Sequence, residues 1–501
     1  MKSLNINFKD LKPDQSCLKI LPLEFVNKYN CIIYCSYENG KVVLVNDNFD
    51  YYNLNKLSFF IKEELYICYV LHEEWSELIK NLKINDDRNQ AINKFQINSN
   101  IISQSSLNEN NKVFYNAEIE SSPIVKIVDS IIEEAINYKS SDIHFEPYES
   151  FVKVRLRIDG KLFDKSPLPF ETFSELSTRI KVLANLDITK KFIPQDGKMI
   201  FNYEGKDYDI RVSILPCAYG ERIALRILDL HNNVLKLEDL NFSNKALDNI
   251  NRILGFSSGL VLVVGPTGSG KSTTLHAFLE KNLERNENII TVEDPVEYTI
   301  EGITQVQINE EAGLDFAACL RTILRQDPNI IMIGEIRDLE TAKIACRASI
   351  TGHLVYSTLH TNTSVGVINR LKDMNIEPYL LVDALRAIIS QRLVRCLCNR
   401  CKKKEKINSY ESKVLDVDED VYIYKPVGCG YCNNTGYSGR CGVYEVIILD
   451  EDFRKLITEN STSTKFWNLI KKKKIEKMFD NGKLLVLNGI TSLEEIQSVL
   501  N

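Results

Sequence analysis

The sequence predicts an α/β protein whose second half is built on a parallel sheet and whose middle part packs helices on a mostly antiparallel sheet. Three observations carry this. Short apolar runs at Leu260–Val264, Ile289–Val292, Ile330–Ile333 and His353–Ser357 are separated by helical stretches. That is the rhythm of strands buried on both faces by crossover helices. Upstream, Val152–Ile158, Asp209–Leu215 and Glu221–Leu228 alternate apolar and polar residues, as strands with one buried face do. Finally, the glycines of Gly265–Gly270 stand between a strand and a helix with Leu275, Phe278, Leu279 and Leu283 on one face.

The elements follow in order. Residues 1–98 mix short strands (Cys31–Tyr34, Lys41–Val45) with a helix near Glu73–Leu82 and read as a small α/β domain. Residues 99–117 are rich in Asn and Ser and read as a linker. Residues 118–232 form the next domain. Ser122 is placed as a helix N-cap, and Pro123 takes the first helical position, where its missing N–H is not needed. Ile124, Ile127, Val128, Ile131, Ile132 and Ala135 share one face of that helix, and Asp159-Gly160 signals a hairpin turn. Residues 238–501 form the parallel-sheet domain, with a cysteine-bearing subdomain at 396–441 and terminal helices at 450–501.

Composition narrows the function classes. A chain of 501 residues, 44% hydrophobic and 26% charged, is a globular protein of several domains. Its net charge of −6 argues against a whole-protein electrostatic grip on nucleic acid. The N-terminal residues carry no apolar signal region, and no apolar run approaches the roughly 20 residues that span a bilayer. A cytoplasmic location is therefore expected. The run Lys471–Lys474 reads as a solvated helix face.

Chemistry concentrates in five places. Gly265-Pro266-Thr267-Gly268-Ser269-Gly270-Lys271-Ser272, followed by Thr273, is a phosphate-binding loop. Its glycines let successive N–H groups face phosphate oxygens, Lys271 supplies positive charge, and Ser272 offers a hydroxyl to Mg²⁺. Glu293, Asp294 and Glu297 follow a buried strand, where they face a ligand crevice or form a solvated acidic turn. Glu335 ends the run Ile330–Gly334 and is placed to hold Mg²⁺ at second shell, although a charge merely capping a strand would look the same. His353 and His360 flank a buried strand; the polar run Ser357–Thr361 marks His360 as a γ-phosphate sensor, whereas a structural part suits His353 equally well. Of the 13 cysteines, Cys398, Cys401, Cys429 and Cys432 form two close pairs in a glycine-rich stretch. Four thiolates suit a closed tetrahedral Zn²⁺ site, with an iron–sulfur cluster as the alternative and Cys441 or Cys396 as substitute ligands.

These motifs together resemble the secretion ATPase family of type II secretion and type IV pilus assembly systems. The resemblance runs from about Ser121 to Glu445 and includes Ser140–Pro147, Arg155–Gly160, Pro194–Gly197, the phosphate loop, Glu293–Tyr298, Arg325–Pro328, Gly334–Asp338, Thr351–Thr361 and Gln391–Arg395. It implies a RecA-like ATPase domain preceded by a PAS-like α+β domain, working as a homo-hexamer with ATP and Mg²⁺. Glu297 would polarise the attacking water and His360 would sense the γ-phosphate. Arg211 and Arg226, from the preceding domain, and Arg321 and Arg325 would reach the nucleotide. The implied role is a cytoplasmic motor, peripheral to the inner membrane, that assembles pilin-like subunits of a secretion pseudopilus, a type IV pilus or a DNA-uptake (competence) pseudopilus. Its implied partners are an inner-membrane platform protein and a membrane-anchored cytoplasmic adaptor. The alternative, a nucleic-acid-translocating motor, is allowed by the phosphate loop but opposed by the acidic balance; no direct nucleic-acid contact is expected.

Overall fold

A computed structural model describes residues 2–3, 11, 13–50, 57–58, 61–105, 123–229 and 235–500. Ser122 and most of the expected linker lie outside them. The chain divides into two compact units, residues 1–232 with 428–435 and residues 233–427 with 436–501.

The first unit holds two sheets. Strands β1 (Lys2–Ser3), β2 (Cys31–Tyr37), β3 (Gly40–Val45) and β4 (Glu64–Tyr69) lie in the order β1-β4-β3-β2. Strand β3 is antiparallel to β2 and parallel to β4. Helix α1 (His72–Ser105) follows, 34 residues long, or about 50 Å at roughly 1.5 Å per residue. Its early turns put Trp75 into the core of this sheet, and Ala91 joins the core of the next. Arg88 of α1 pairs with buried Glu134, and Lys165 meets the same carboxylate at 2.9 Å. One helix thus serves both cores, within the compact unit of residues 1–232 and 428–435. It also runs to Ser105, into the segment expected to be linker; once nucleated, a helix extends through weakly apolar sequence at little cost.

The second sheet has the order β7-β6-β5-β11-β10-β9. Its strands are β5 (Asp142–Pro147), β6 (Phe151–Ile158), β7 (Lys161–Asp164), β9 (Gln195–Tyr203), β10 (Lys206–Cys217) and β11 (Gly220–Asp229), with the short β8 (Leu168–Pro169) beside β6. All these pairings are antiparallel. Helix α2 (Pro123–Asn137) and helix α3 (Phe173–Leu183) share a core with Ile143, Val154, Leu156, Ile210, Val212 and Leu225. Alternation turns the intervening charged residues to the other face.

The second unit is centred on one sheet in the order β14-β13-β15-β16-β12-β17-β20. Its strands are β12 (Gly259–Val264), β13 (Ile289–Glu293), β14 (Thr304–Gln307), β15 (Ile330–Ile333), β16 (Leu354–Leu359), β17 (Leu385–Leu397) and β20 (Tyr437–Ile448); β18 (Lys403–Lys406) and β19 (Tyr422–Lys425) pair apart. Every pairing in the large sheet is parallel except β17 with β20. This is the RecA-like arrangement expected, with hydrophobic cores on both faces. Helices fill 451–500 with short breaks. Because β12 lies between β16 and β17, the carboxyl ends of these strands share one edge with those of β13 and β15, where ligands of such sheets bind.

Candidate active site

Strand β12 stops at Val264 and helix α4 (Lys271–Leu283) starts six residues beyond Gly265. Between them, Gly268 and Gly270 sit at φ of 76° and 84°, a left-handed conformation that glycine adopts without steric cost. Gly265 is fixed by close approach: a Cβ there would fall 2.5 Å from the Gln391 carbonyl oxygen and from Ser269 Oγ. No side chain caps the start of α4. Its first N–H groups and the positive end of its dipole therefore point into the cradle, ready for an anion. Lys271 lies across the loop and donates to the carbonyls of Gly265 and Pro266, each at 3.1 Å. Burial pulls its ammonium below the ordinary lysine value, Glu335 opposes that, and Arg392 adds to it. Ser272 and Thr267 are exposed at the mouth.

Glu335 stands just past β15. Its Oε1 accepts from Arg337 Nε at 2.7 Å, and its Oε2 lies 3.0 Å from His360 Nε2. Arg337 also reaches Asp294, at 3.6 Å. The carbonyl of Gly334 is held by Thr358 Oγ1 at 2.8 Å, and that of Ile333 by Ser357 Oγ at 2.9 Å. The structure therefore gathers Lys271, Glu335, His360, Arg337 and Asp294 at one sheet edge, a carboxylate beside a phosphate cradle with cations around it. Such a carboxylate suits a hydrated Mg²⁺, which binds proteins through few carboxylates and keeps several waters.

The other expected residues sort themselves. Glu293 does not face the crevice: β13 runs one residue further than its apolar stretch indicates, and the residue is 4% exposed. Asp294 and Glu297 are exposed in the turn that follows. His353 precedes β16, at the end of the strand away from the cradle, and its Nδ1 bonds the Ala348 carbonyl at 3.0 Å; its part is structural. Arg321 pairs with Glu340, and Arg325 donates to the Arg321 carbonyl at 2.7 Å. Both guanidiniums are engaged locally rather than with the Lys271–Glu335 cluster. In the first unit, Arg211 and Arg226 are register partners on β10 and β11, and Arg226 Nε meets Asp142 at 3.1 Å. The neighbours Ile210, Val212 and Leu225 are buried, so both arginines occupy the outer face, as their alternation predicts.

The four paired cysteines converge. Their sulfurs all lie within 4.8 Å of one another, and all four residues are buried. Cys429 Sγ and Cys432 Sγ are 3.7 Å apart. A tetrahedron with roughly 2.3 Å metal–sulfur bonds has sulfur–sulfur edges of about 3.8 Å, so the group fits the ion. Cys441 and Cys396, considered as substitute ligands, stand outside this set; the neighbouring Cys396 thiol and burial push the Cys441 thiol up.

The family profile described as "Type II/IV secretion system protein" matches residues 117–498. The "Type II secretion system protein E" of Aeromonas hydrophila is 44% identical over 382 residues, covering 76% of each chain. The "Type II secretion system ATPase E" of Vibrio cholerae is 43% identical over the same length, again covering 76% of each. This chain belongs to the type II/IV secretion system protein family.

ATP hydrolysis is the activity this secretion ATPase's phosphate cradle serves. The crystal structure of the Legionella pneumophila ATPase DotB shares its fold, with a TM-score of 0.55 and 22% identity over 77% of this chain and 97% of that one. Some residues of the secretion ATPase site had no part assigned to them by the sequence. Gln391 donates to the Ser269 carbonyl at 2.6 Å and braces the loop from β17. Arg392 donates to the Asn362 carbonyl at 3.1 Å and puts its charge near Lys271. Both lie in Gln391–Arg395, one of the runs that carry the resemblance, but nothing in the sequence assigned either a role. His276 and Gln305, taken up below, look like ordinary helix and edge-strand residues.

Proposed function

We propose that this chain is an ATP-driven motor that assembles pilin-like subunits, working as a ring of six on the cytoplasmic face of the inner membrane. The observation that carries the reading is the Lys271–Glu335–His360 cluster at the mouth of an uncapped helix N-terminus. Lys271 holds the β- and γ-phosphates, and the loop N–H groups share that charge. Ser272 and Glu335 would hold Mg²⁺, and the ion would supply positive charge against the phosphates. Glu297 polarises the attacking water. His360, bonded to Glu335, reads the γ-phosphate. Catalysis is then positioning and electrostatics. Arg211, Arg226, Arg321 and Arg325 meet nucleotide from elsewhere in the ring, so that hydrolysis releases contacts and lets domains rotate.

Cys398, Cys401, Cys429 and Cys432 hold a structural Zn²⁺, supported by the sulfur spacing above. The motion is passed to an inner-membrane platform protein, with a membrane-anchored adaptor as a second partner. Among the described residues no helix is long and apolar enough to cross a membrane.

Phosphate release by the purified protein tests the site. Lys271→Ala and Glu335→Gln should each lower turnover by about 10²–10³-fold, and Glu335→Gln should still bind ATP. Wild-type turnover in either variant would refute the assignment.

A further inference from the structure

A closed network lies behind the acidic turn. Glu293 is buried and accepts three hydrogen bonds: Oε1 from Thr291 Oγ1 at 2.6 Å and from Gln305 Nε2 at 3.1 Å, Oε2 from His276 Nε2 at 3.2 Å. Burial alone would raise this carboxyl; the bonds from His276, Thr291 and Gln305 outweigh it and hold it below its ordinary value. The carboxylate is therefore ionised, and His276 can satisfy it only with its proton on Nε2. Gln305 spends its second N–H on the Tyr298 carbonyl at 3.1 Å, and its Oε1 accepts from the Ile300 N–H at 2.7 Å. One amide thus pins the backbone on both sides of Thr299. The Tyr298 ring meets the His276 ring edge-on at 4.7 Å, and Thr273 stands close enough to oppose the upward push of burial on the Tyr298 hydroxyl.

Every group here has a direction. His276 and Thr273 belong to α4, in the first turns beyond Lys271. Thr291 and Glu293 belong to β13, and Gln305 to the neighbouring β14. Tyr298 directly follows Glu297. The turn carrying Glu297 is thus tied by its next residue to the same helix that presents Ser272 to phosphate. Every oxygen and N–H of Glu293 and the Gln305 amide is used, and only His276 Nδ1 has no partner; buried networks so nearly satisfied are rigid.

We propose that Glu293, His276 and Gln305 are positioning residues that clamp the Asp294–Ile300 turn to the phosphate-loop helix and thereby set where Glu297 stands relative to the γ-phosphate. The proposal rests on the reading of Glu297 given above. A clamp of this kind acts on turnover more than on ATP binding, because the hydrogen bonds of Glu293, His276 and Gln305 reach no residue of the phosphate loop. Misplacing a reacting group by about 1 Å costs on the order of 10²-fold in rate.

The experiment is a double-mutant cycle on the full-length protein. His276→Leu, His276→Gln and Gln305→Leu are made alone and with Glu297→Gln, and kcat, KM for ATP and thermal midpoint are measured. His276→Leu and Gln305→Leu should lower kcat by about 10–10²-fold with KM unchanged. His276→Gln, which keeps a donor at similar reach, should restore most of the rate. Neither loss should recur in the Glu297→Gln background, since both act through that carboxylate. Equal losses in the two backgrounds, or kcat unchanged in folded His276→Leu and Gln305→Leu, would overturn the clamp while leaving Glu297 in place. Full activity in Glu297→Gln alone would overturn both.

Discussion

Strands β13 and β15 run side by side, and a glutamate stands at the end of each. Glu293 is shut in, with three donors on its two oxygens. Glu335 keeps 17% of its side chain exposed and is met by Arg337 and His360, themselves more than half exposed. The two acids differ little in sequence setting and sharply in what surrounds them. A carboxylate whose lone pairs are spent on fixed neutral donors is part of the scaffold. One held by an exposed guanidinium and an exposed imidazole can exchange those partners for a hydrated metal ion.

Three measurements press on that difference, from the largest effect to the smallest. Glu293→Leu strands the donors of His276, Thr291 and Gln305, and denaturant unfolding should show a loss of about 3 kcal/mol; a loss under about 1 kcal/mol would put Glu293 on the same footing as Glu335. Next comes acid. Glu293 has a depressed folded-state pKa, so its contribution is present above the unfolded carboxylate value, about 4.3, and disappears as pH falls through the lower folded value. Stability of the wild type should therefore drop below pH ~4 more steeply than that of Glu293→Gln, and parallel curves would contradict the linkage. Last is an exposed acid as control. Glu340 pairs with Arg321 at 60% side-chain exposure, and Glu340→Ala should change stability by less than about 0.5 kcal/mol.

The same contrast explains what was legible in the sequence. The cradle was readable because strand, glycines, Lys271 and helix are contiguous, and local chemistry dictates all of them. Glu335 was readable because it ends an apolar run. Glu293 was not: a strand one residue longer carries its side chain into the interior, and strand ends are where pattern gives least guidance. His276 sits among buried residues of α4, and its polarity makes sense only beside Glu293, 17 positions away. The length of α1 was hidden too, because Trp75 and Ala91 serve cores that lie on different sheets. Even the cysteines, readable as a quartet, showed their spacing only in three dimensions.

Strand β17 carries a mechanical meaning of its own. Its Ser390 lies beside Val264 of the loop-bearing strand, and Gln391 grips the loop at Ser269. The strand then runs on to Leu397, paired with β20 along most of its length, and the next residue is Cys398, the first of the four clustered sulfurs. From Gln391 to Cys398 is about 23 Å at roughly 3.3 Å per residue. The phosphate cradle and the cysteine cluster are thus the two ends of one stiff bar, and a displacement at either end has a short, hydrogen-bonded route to the other.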